Sequence, residues 1–322
     1  MKKLSVRFAS ARSLARIVLA ASAFAGALAC NGTARTPDED RFSEAVTGTP
    51  GVVLIDDMED GSQYLLSDDG RVGLWYTYND ASLGATQEPS LGFPMYRVLG
   101  TDGLPASSSA VIPRPCGTKS GLAFFATEQD RDCQFVARTW GTGQRGWGAG
   151  VGLDLNGQGG VKNPIDASAY GGIGFWAIGN VRGNSLRVNV QDVRTTPESA
   201  AAADRREIPR CESYANGAPT GRCNDHYGTS VTLKADQWQW IQIPFGCMKS
   251  GGWGWPAAGG PAEDNRLLTS AVVGVQFQIQ GEDPADTGMP PAGASVQPFD
   301  FSIDNLSFLE TDLVKADGPC PN

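Results

Sequence analysis

The run CNDHYG, Cys223–Gly228, holds the one histidine of the 322-residue chain, His226, with Asp225 beside it. An imidazole can serve as a base, a metal ligand or a stacking group. A nucleophilic triad would pair it with a marked serine, and no GxSxG segment occurs. A zinc site would need further Cys or His ligands at short spacing, and no CxxC occurs. Glycosidases need two carboxylates facing one cleft. Asp154 and Asp192 are the strand-borne acids that could supply such a pair. No phosphate loop or dinucleotide fingerprint is present. Two roles remain for His226: holding a disulfide-closed loop by hydrogen bonds, or standing at the rim of a binding face with Asp225.

A second set of residues points to binding. In SLRVNVQD, Arg187, Asn189 and Gln191 alternate with Leu186, Val188 and Val190. In VQFQIQ, Gln276, Gln278 and Gln280 alternate with Val275, Phe277 and Ile279. In WQWIQIPF, Trp238, Trp240 and Gln242 oppose Ile241, Ile243 and Phe245. Side chains alternate across a strand, so each segment presents one apolar and one polar face. The polar sets carry amides, Arg and Trp, with almost no Lys or Glu. Amides and guanidinium exchange hydrogen bonds with hydroxyls, and an indole offers a flat apolar face to a sugar ring. A solvated antiparallel sheet is the plainer reading, and the three segments need not be neighbours.

Short strands must position these residues. Alternating or apolar runs are expected at Val52–Asp57, Val72–Tyr78, Leu122–Thr127, Cys133–Thr139, Gly148–Leu155, Gly172–Ile178, Ser185–Asp192, Thr229–Lys234, Trp238–Phe245, Val272–Gln280 and Phe299–Phe308. Gly, Pro, Asn and Asp separate them, as in an all-β two-sheet sandwich. Long stretches at 82–120, 193–228 and 248–265 are expected to be loops. Short helices are expected at Ser199–Glu207 and near Ala262–Ser270.

The N-terminus reads as a targeting segment. Lys2, Lys3, Arg7, Arg12 and Arg16 precede an apolar run from Ile17 to Leu28, too short to span a bilayer. The run ends in ALAC, which resembles a lipobox and makes Cys30 a lipidation site. The expected organisation is a signal peptide over 1–29, a polar tether over 30–50, a β-sandwich domain over 51–310 and a tail over 311–322. Removing residues 1–29 leaves 21 basic against 35 acidic residues, a net charge of −14. Such a surface repels nucleic acid and anionic membranes. Six cysteines remain beside Cys30, an even count that reads as disulfides in an exported chain. Local pairing gives Cys116–Cys133 and Cys211–Cys223, and elimination gives Cys247–Cys320, which would tie back the tail.

The strand motifs LIDDMEDG, GGIGFWAIG, LRVNVQD, WQWIQIPF and FDFSIDNLSF follow one another in this order. The set resembles the galactose-binding-like jelly-roll carbohydrate-binding modules, in particular the lichenan-binding kind, over about Gly51–Glu310. It is also similar to the complex I intermediate-associated family. The cysteine loop and GWGAGVGLDL resemble exported carbohydrate-binding lipoproteins of soil bacteria. The resemblance implies a structural calcium held by Glu59 and Asp304, with Asp57 as a further ligand. It also implies a ligand face of Arg187, Asn189, Gln191, Trp240, Gln276 and Gln278, with Trp75 and Tyr76 as further candidates beside the rim role left open for His226. Tyr78, Trp140, Trp147, Trp253 and Trp255 are further aromatic candidates.

The expected protein is therefore an exported, lipid-anchored jelly roll that binds a poly- or oligosaccharide without cleaving it. Its place would be the bacterial outer membrane or cell surface, or otherwise the periplasm or medium. A cell-envelope assembly protein would instead show an apolar patch for a protein partner. A polysaccharide hydrolase or lyase would converge two acids, or an Arg/Lys–Tyr–His set, in one cleft.

Overall fold

Alternation of apolar and polar residues decides which side of each strand is buried. In Ser185–Asp192, Leu186, Val188 and Val190 are buried, and in Val272–Ile279 so are Val275, Phe277 and Ile279. The computed structural model describes residues 51–65, 71–90, 95–97, 135–158, 161–197, 211, 214–215, 218–219, 223–254, 265–281, 298–314 and 318–321. These all fall within one contact unit, Asp40–Asn322.

The described strands, in chain order, begin with β1 Val52–Asp56, β2 Tyr64–Leu65, β3 Gly73–Asn79, β4 Thr86–Glu88, β5 Met95–Arg97, β6 Phe135–Thr142, β7 Ala149–Asp154, β8 Gly157–Gln158 and β9 Val161–Lys162. They continue with β10 Tyr170–Asn180, β11 Ser185–Asp192, β12 Tyr214–Ala215, β13 Ala218–Pro219, β14 Tyr227–Thr232, β15 Gln239–Pro244, β16 Val272–Ile279 and β17 Phe299–Glu310. One seven-stranded sheet runs β15-β10-β17-β6-β4, with β1 also on β17 and β5 also on β6. One six-stranded sheet runs β14-β11-β16-β7-β3-β2. Two small hairpins, β8-β9 and β12-β13, stand apart. The result is the expected all-β sandwich, with every pairing antiparallel.

The core lies between the two sheets. Ile173, Phe175, Ile241, Ile243, Phe301 and Phe308 come from one side, and Val151, Leu153, Trp75, Val188 and Phe277 from the other. Phe175 meets Phe277 edge-on with ring centroids 5.0 Å apart, joining the two sheets. Each such buried ring contributes about 1.5–3 kcal/mol of transfer free energy.

Strand β17 holds the seven-stranded sheet together. Its first half pairs with β6 (Phe299↔Gly141 to Ile303↔Ala137) and its second half with β1 (Leu306↔Asp56 to Leu309↔Val52). The alternation slips between the halves: Ile303 and Leu306, three residues apart, both enter the core. Asn305 sits at the slip with φ 51°, a left-handed conformation that Asn tolerates better than most residues. FDFSIDNLSF is thus one strand with a phase shift, where uniform alternation would expose Leu306.

Several expectations differ from the structure. Strands β4 and β5 lie within a stretch expected to be loop. Gln87, buried in β4, donates to Thr139 Oγ1 and to the Gly150 carbonyl, which explains its ordering without an apolar pattern. The stretch expected to be helical near Ala262–Ser270 carries no α-helix among its described residues, and a 3₁₀ turn spans Thr269–Ala271. Disulfides Cys211–Cys223 and Cys247–Cys320 form as expected. The signal peptide, Cys30, the tether, Leu122–Thr127, Ser199–Glu207, Trp255 and the Cys116–Cys133 pairing lie outside the described residues. No described helix is long and apolar enough to cross a membrane.

Candidate functional site

The outward face of the six-stranded sheet gathers the polar sets of β11 and β16, which are hydrogen-bonded neighbours. Register places Tyr78, Gly150, Gln278, Arg187 and Ser230 in one row across five strands. Tyr76, Gly152, Gln276, Asn189 and Gly228 form the next row. Glycine at three of these positions lets long side chains lie flat. A Cβ at Gly152 would stand 2.5 Å from Tyr76 Cζ, and one at Gly228 would stand 2.2 Å from Asn189 Oδ1. The glycines of β7 and β14 therefore set the depth of the face.

A chain of hydrogen bonds fixes the amides. Arg187 Nε donates to Asn189 Oδ1 (2.9 Å), Asn189 Nδ2 to Gln278 Oε1 (3.3 Å), and Gln278 Nε2 to the Trp147 carbonyl (2.8 Å). Gln276 Nε2 donates to the Tyr76 hydroxyl (3.2 Å). Polar groups held this way keep their orientation before any ligand arrives, which lowers the entropy cost of binding.

A cavity of about 760 Å³ opens at the Arg187 end of this face. Its floor includes Arg187, Asn189 and Gln278, and its walls include Asn224, Asp225, His226 and Ser230. Trp147 and Trp253 line it too, and they are 49% and 62% exposed. Trp147 stacks on Tyr78 with centroids 5.8 Å apart, which holds the indole without burying it. Burial pushes the Tyr78 hydroxyl well above its ordinary pKa.

The wall after Cys223 is tightly built. Asp225 accepts the backbone N–H of Gly251 (2.6 Å) on one oxygen and of Gly254 (2.8 Å) on the other. His226 is buried, and its Nδ1 is 2.9 Å from Thr195 Oγ1. Burial, then the charges of Lys162 and Arg187, lowers the His226 pKa to about 3, so the ring is neutral at ordinary pH. Burial also lowers the Arg187 pKa, with Asp225 acting against it.

Lys162, on the β8-β9 hairpin, closes the other end of the face and was not singled out from sequence. Its Nζ lies 2.7 Å from Asp154 Oδ1 and donates to Gln191 Oε1 (3.2 Å) and the Tyr76 hydroxyl (3.3 Å). Burial works against the Lys162 charge, but Tyr76 and Asp154 outweigh it and hold its pKa above the usual value. Burial raises the Asp154 pKa, with Lys162 opposing. No motif marks Lys162; a two-residue strand carries too little pattern to place it.

The sequence-derived site residues separate into groups. Arg187, Asn189, Gln276, Gln278 and Tyr76 share the face, and His226 stands in its wall. Gln191 shares it as well but is buried where Lys162 meets it. Trp75 does not reach the face. It points into the core, stacks with Phe277 and donates from Nε1 to Asp56 Oδ2 at 2.8 Å. Trp240 is on β15 in the other sheet, near Trp176 and across Gly174, where a Cβ would stand 2.5 Å from the indole. Trp140 is in that sheet too, under the Arg138 guanidinium.

The acids weighed for hydrolysis do not converge on the cavity. Asp192 is fully buried and receives Arg194, and Asp154 receives Lys162. Asp225 is the carboxylate among the described lining residues. For calcium, Asp57 and Glu59 follow β1, and Asp304 is buried on β17. Asp57 Oδ1 accepts the Glu59 N–H (3.1 Å), and Glu59 Oε1 faces the Phe135 N–H (3.5 Å). Hard oxygens suit calcium, but among the described residues no three His, Cys, Asp or Glu side chains cluster as a metal cage.

No protein-family model and no curated protein matches the chain. Among the solved structures the chain is similar to are three carbohydrate-binding modules of Clostridium thermocellum. One is the family 11 module of a cellulosomal cellulase, at 15% identity and TM-score 0.38, covering 81% of this chain and 95% of that one. Another is the family 11 module in complex with a β-1,3-1,4-mixed-linked tetrasaccharide, at 13% identity and TM-score 0.37, covering 82% and 98%. A third is the family 30 module of a cellulosomal cellulase, at 15% identity and TM-score 0.30, covering 56% and 76%.

Proposed function

We propose that the protein binds a poly- or oligosaccharide on the outward face of the six-stranded sheet and does not cleave it. The observation that carries this reading is the cavity that exposed Trp147 and Trp253 line together with the ordered side chains of Arg187, Asn189 and Gln278. Indoles supply apolar faces for sugar rings, and the guanidinium and amides supply hydrogen bonds to hydroxyls. A volume of this size suits a small ligand or a few units of a longer one. Tyr76 and Gln276 extend the same surface.

The reading includes export. Residues 1–29 act as a secretory signal, Cys30 receives the lipid, and residues 31–50 tether the sandwich to a bacterial outer membrane or cell surface. The two disulfides belong to an oxidising compartment. The reading also includes a structural calcium held by Glu59 and Asp304 and completed by backbone carbonyls, with Asp57 as a further candidate ligand. Calcium would then raise the melting temperature and chelator lower it; equal melting in both removes calcium from the proposal.

The test uses the full chain with Cys30→Ser, incubated with soluble and insoluble polysaccharides. Retained protein and released reducing ends are read from the same tubes. Retention without new reducing ends supports binding without cleavage. New reducing ends make the protein an enzyme. No retention on any polysaccharide overturns the proposal.

A further inference from the structure

Among the described residues, Arg187 hydrogen-bonds to neutral groups only, and the charge of Asp225 acts on it without a contact. Its Nε donates to Asn189 Oδ1 and its Nη2 to the Lys249 carbonyl (3.0 Å), with the His226 carbonyl 3.5 Å from Nη2. These contacts leave Nη1 available to a further acceptor. Among the described residues no carboxylate lies within ion-pair distance of this guanidinium, whereas Arg138, Lys162 and Arg194 each have one. The two acids of the face are already engaged, Asp225 by the Gly251 and Gly254 amides and Asp154 by Lys162. Burial has cost Arg187 part of its hydration and lowers its pKa.

A partly desolvated cation without a contacting anion is costly unless a ligand supplies one. A neutral hydroxyl returns a hydrogen bond. A carboxylate returns the bond and the charge, and charge-assisted bonds are about twice as strong as neutral ones. With Nε and Nη2 engaged, Nη1 is the nitrogen that gives such a bond to a carboxylate oxygen. Arg187 is thus the point of the cavity suited to an anion, set against Asp225 in the wall and a net charge of −14 once residues 1–29 are removed. The acidic exterior acts over about a Debye length, near 8 Å at physiological salt, so it opposes a short acidic oligosaccharide seated on Arg187 only weakly.

Resting on the polysaccharide-binding reading above, we propose that the site takes an acidic glycan and seats a uronate carboxylate on Arg187 in the cavity lined by Trp147 and Trp253. Asn189 positions the guanidinium through its Oδ1. Gln278 and Ser230, which flank Arg187 in the same row, bond to hydroxyls of the same or the next sugar.

The experiment measures calorimetric affinity of the full chain with Cys30→Ser for two uronans, oligogalacturonate and oligomannuronate. It repeats the measurement with the same oligosaccharides after carboxyl reduction to neutral sugars, and with neutral β-glucan oligosaccharides. At least one uronan should bind tenfold or more tighter than its reduced form. Arg187→Gln should abolish that difference, and Arg187→Lys should keep part of it. Reduced or β-glucan ligands bound as tightly as the uronans, or in their place, would overturn the uronate inference and leave the polysaccharide reading standing. Binding to none of these, nor to the polysaccharide panel, would overturn both. The comparison of native with reduced ligand needs no variant, so poor folding of Arg187→Gln does not compromise it.

Discussion

Tyr76 lies across Gly152 of the neighbouring strand, with its ring where a Cβ at that glycine would come within 2.5 Å. The hydroxyl so placed accepts from Gln276 and Lys162. A glycine on one strand therefore sets the position of an aromatic ring on the next, and with it part of the face.

Gly152→Ala should lift the Tyr76 ring and break its bonds to Gln276 and Lys162. The ring is only partly buried and can swing outward, so the cost in stability should stay near the low end of the ~1–3 kcal/mol usual for overpacking. Ligand affinity should fall about tenfold, equivalent to about 1.4 kcal/mol. Calorimetry with the bound polysaccharide and a melting curve on the same sample check both. Unchanged affinity would separate Tyr76 from the binding surface.

The tryptophans should divide by location. Trp147→Ala and Trp253→Ala remove exposed indoles and should each weaken binding about tenfold with little change in melting temperature. Trp240→Ala removes a ring from the other sheet, so it should lower the melting temperature and leave affinity unchanged. Affinity gels and thermal melts of the three variants read this out. Loss of binding in Trp240→Ala would move the site to the seven-stranded sheet.

His226 should make stability depend on pH. Its folded pKa is near 3, against 6.5 for an unburied imidazole. Between these values the unfolded chain holds the extra proton, so this contribution is fully present above about pH 6.5 and is lost as pH falls towards 3. Burial raises the Asp56 pKa to about 7 and acts with the opposite sign above its ordinary value. The His226 effect is therefore read as a difference between proteins. His226→Gln should gain on the native chain by about 1.4 kcal/mol per pH unit as pH falls through the window. Urea unfolding at a series of pH values measures it; a constant offset would show that the histidine titrates normally.

The two disulfides should have different effects. Cys211–Cys223 closes a separation of 12 residues and Cys247–Cys320 one of 73. Loop-closure entropy makes the longer link more stabilising by about 1.6 kcal/mol. Cys247→Ala with Cys320→Ala should therefore cost more stability. Cys211→Ala with Cys223→Ala should cost more affinity, because Cys223 directly precedes the wall residues Asn224, Asp225 and His226. Denaturant unfolding and ligand titration on both double variants distinguish the two effects.

The sequence by itself determined which residues of each strand share a side. Apolar Leu186, Val188 and Val190 had to oppose Arg187, Asn189 and Gln191, because the side-chain period of a strand is two. It also determined the sandwich class, through turn residues at local spacing, and the presence of disulfides, through an even cysteine count, while the Cys211–Cys223 and Cys247–Cys320 pairings are read from the structure. Only the tertiary structure decided which faces met. Strands β11 and β16 are neighbours although Asn189 and Gln278 are 89 residues apart, while β15 joined the opposite sheet and took Trp240 with it. Adjacent Trp75 and Tyr76 could not both reach one face. Packing against Phe277 and a bond to Asp56 drew Trp75 inward and left Tyr76 outward. Alternation fixes a strand's two sides relative to each other. Which side becomes a site depends on long-range pairing, on glycines in neighbouring strands and on loops that bring Trp147, Trp253 and Lys162 to the rim.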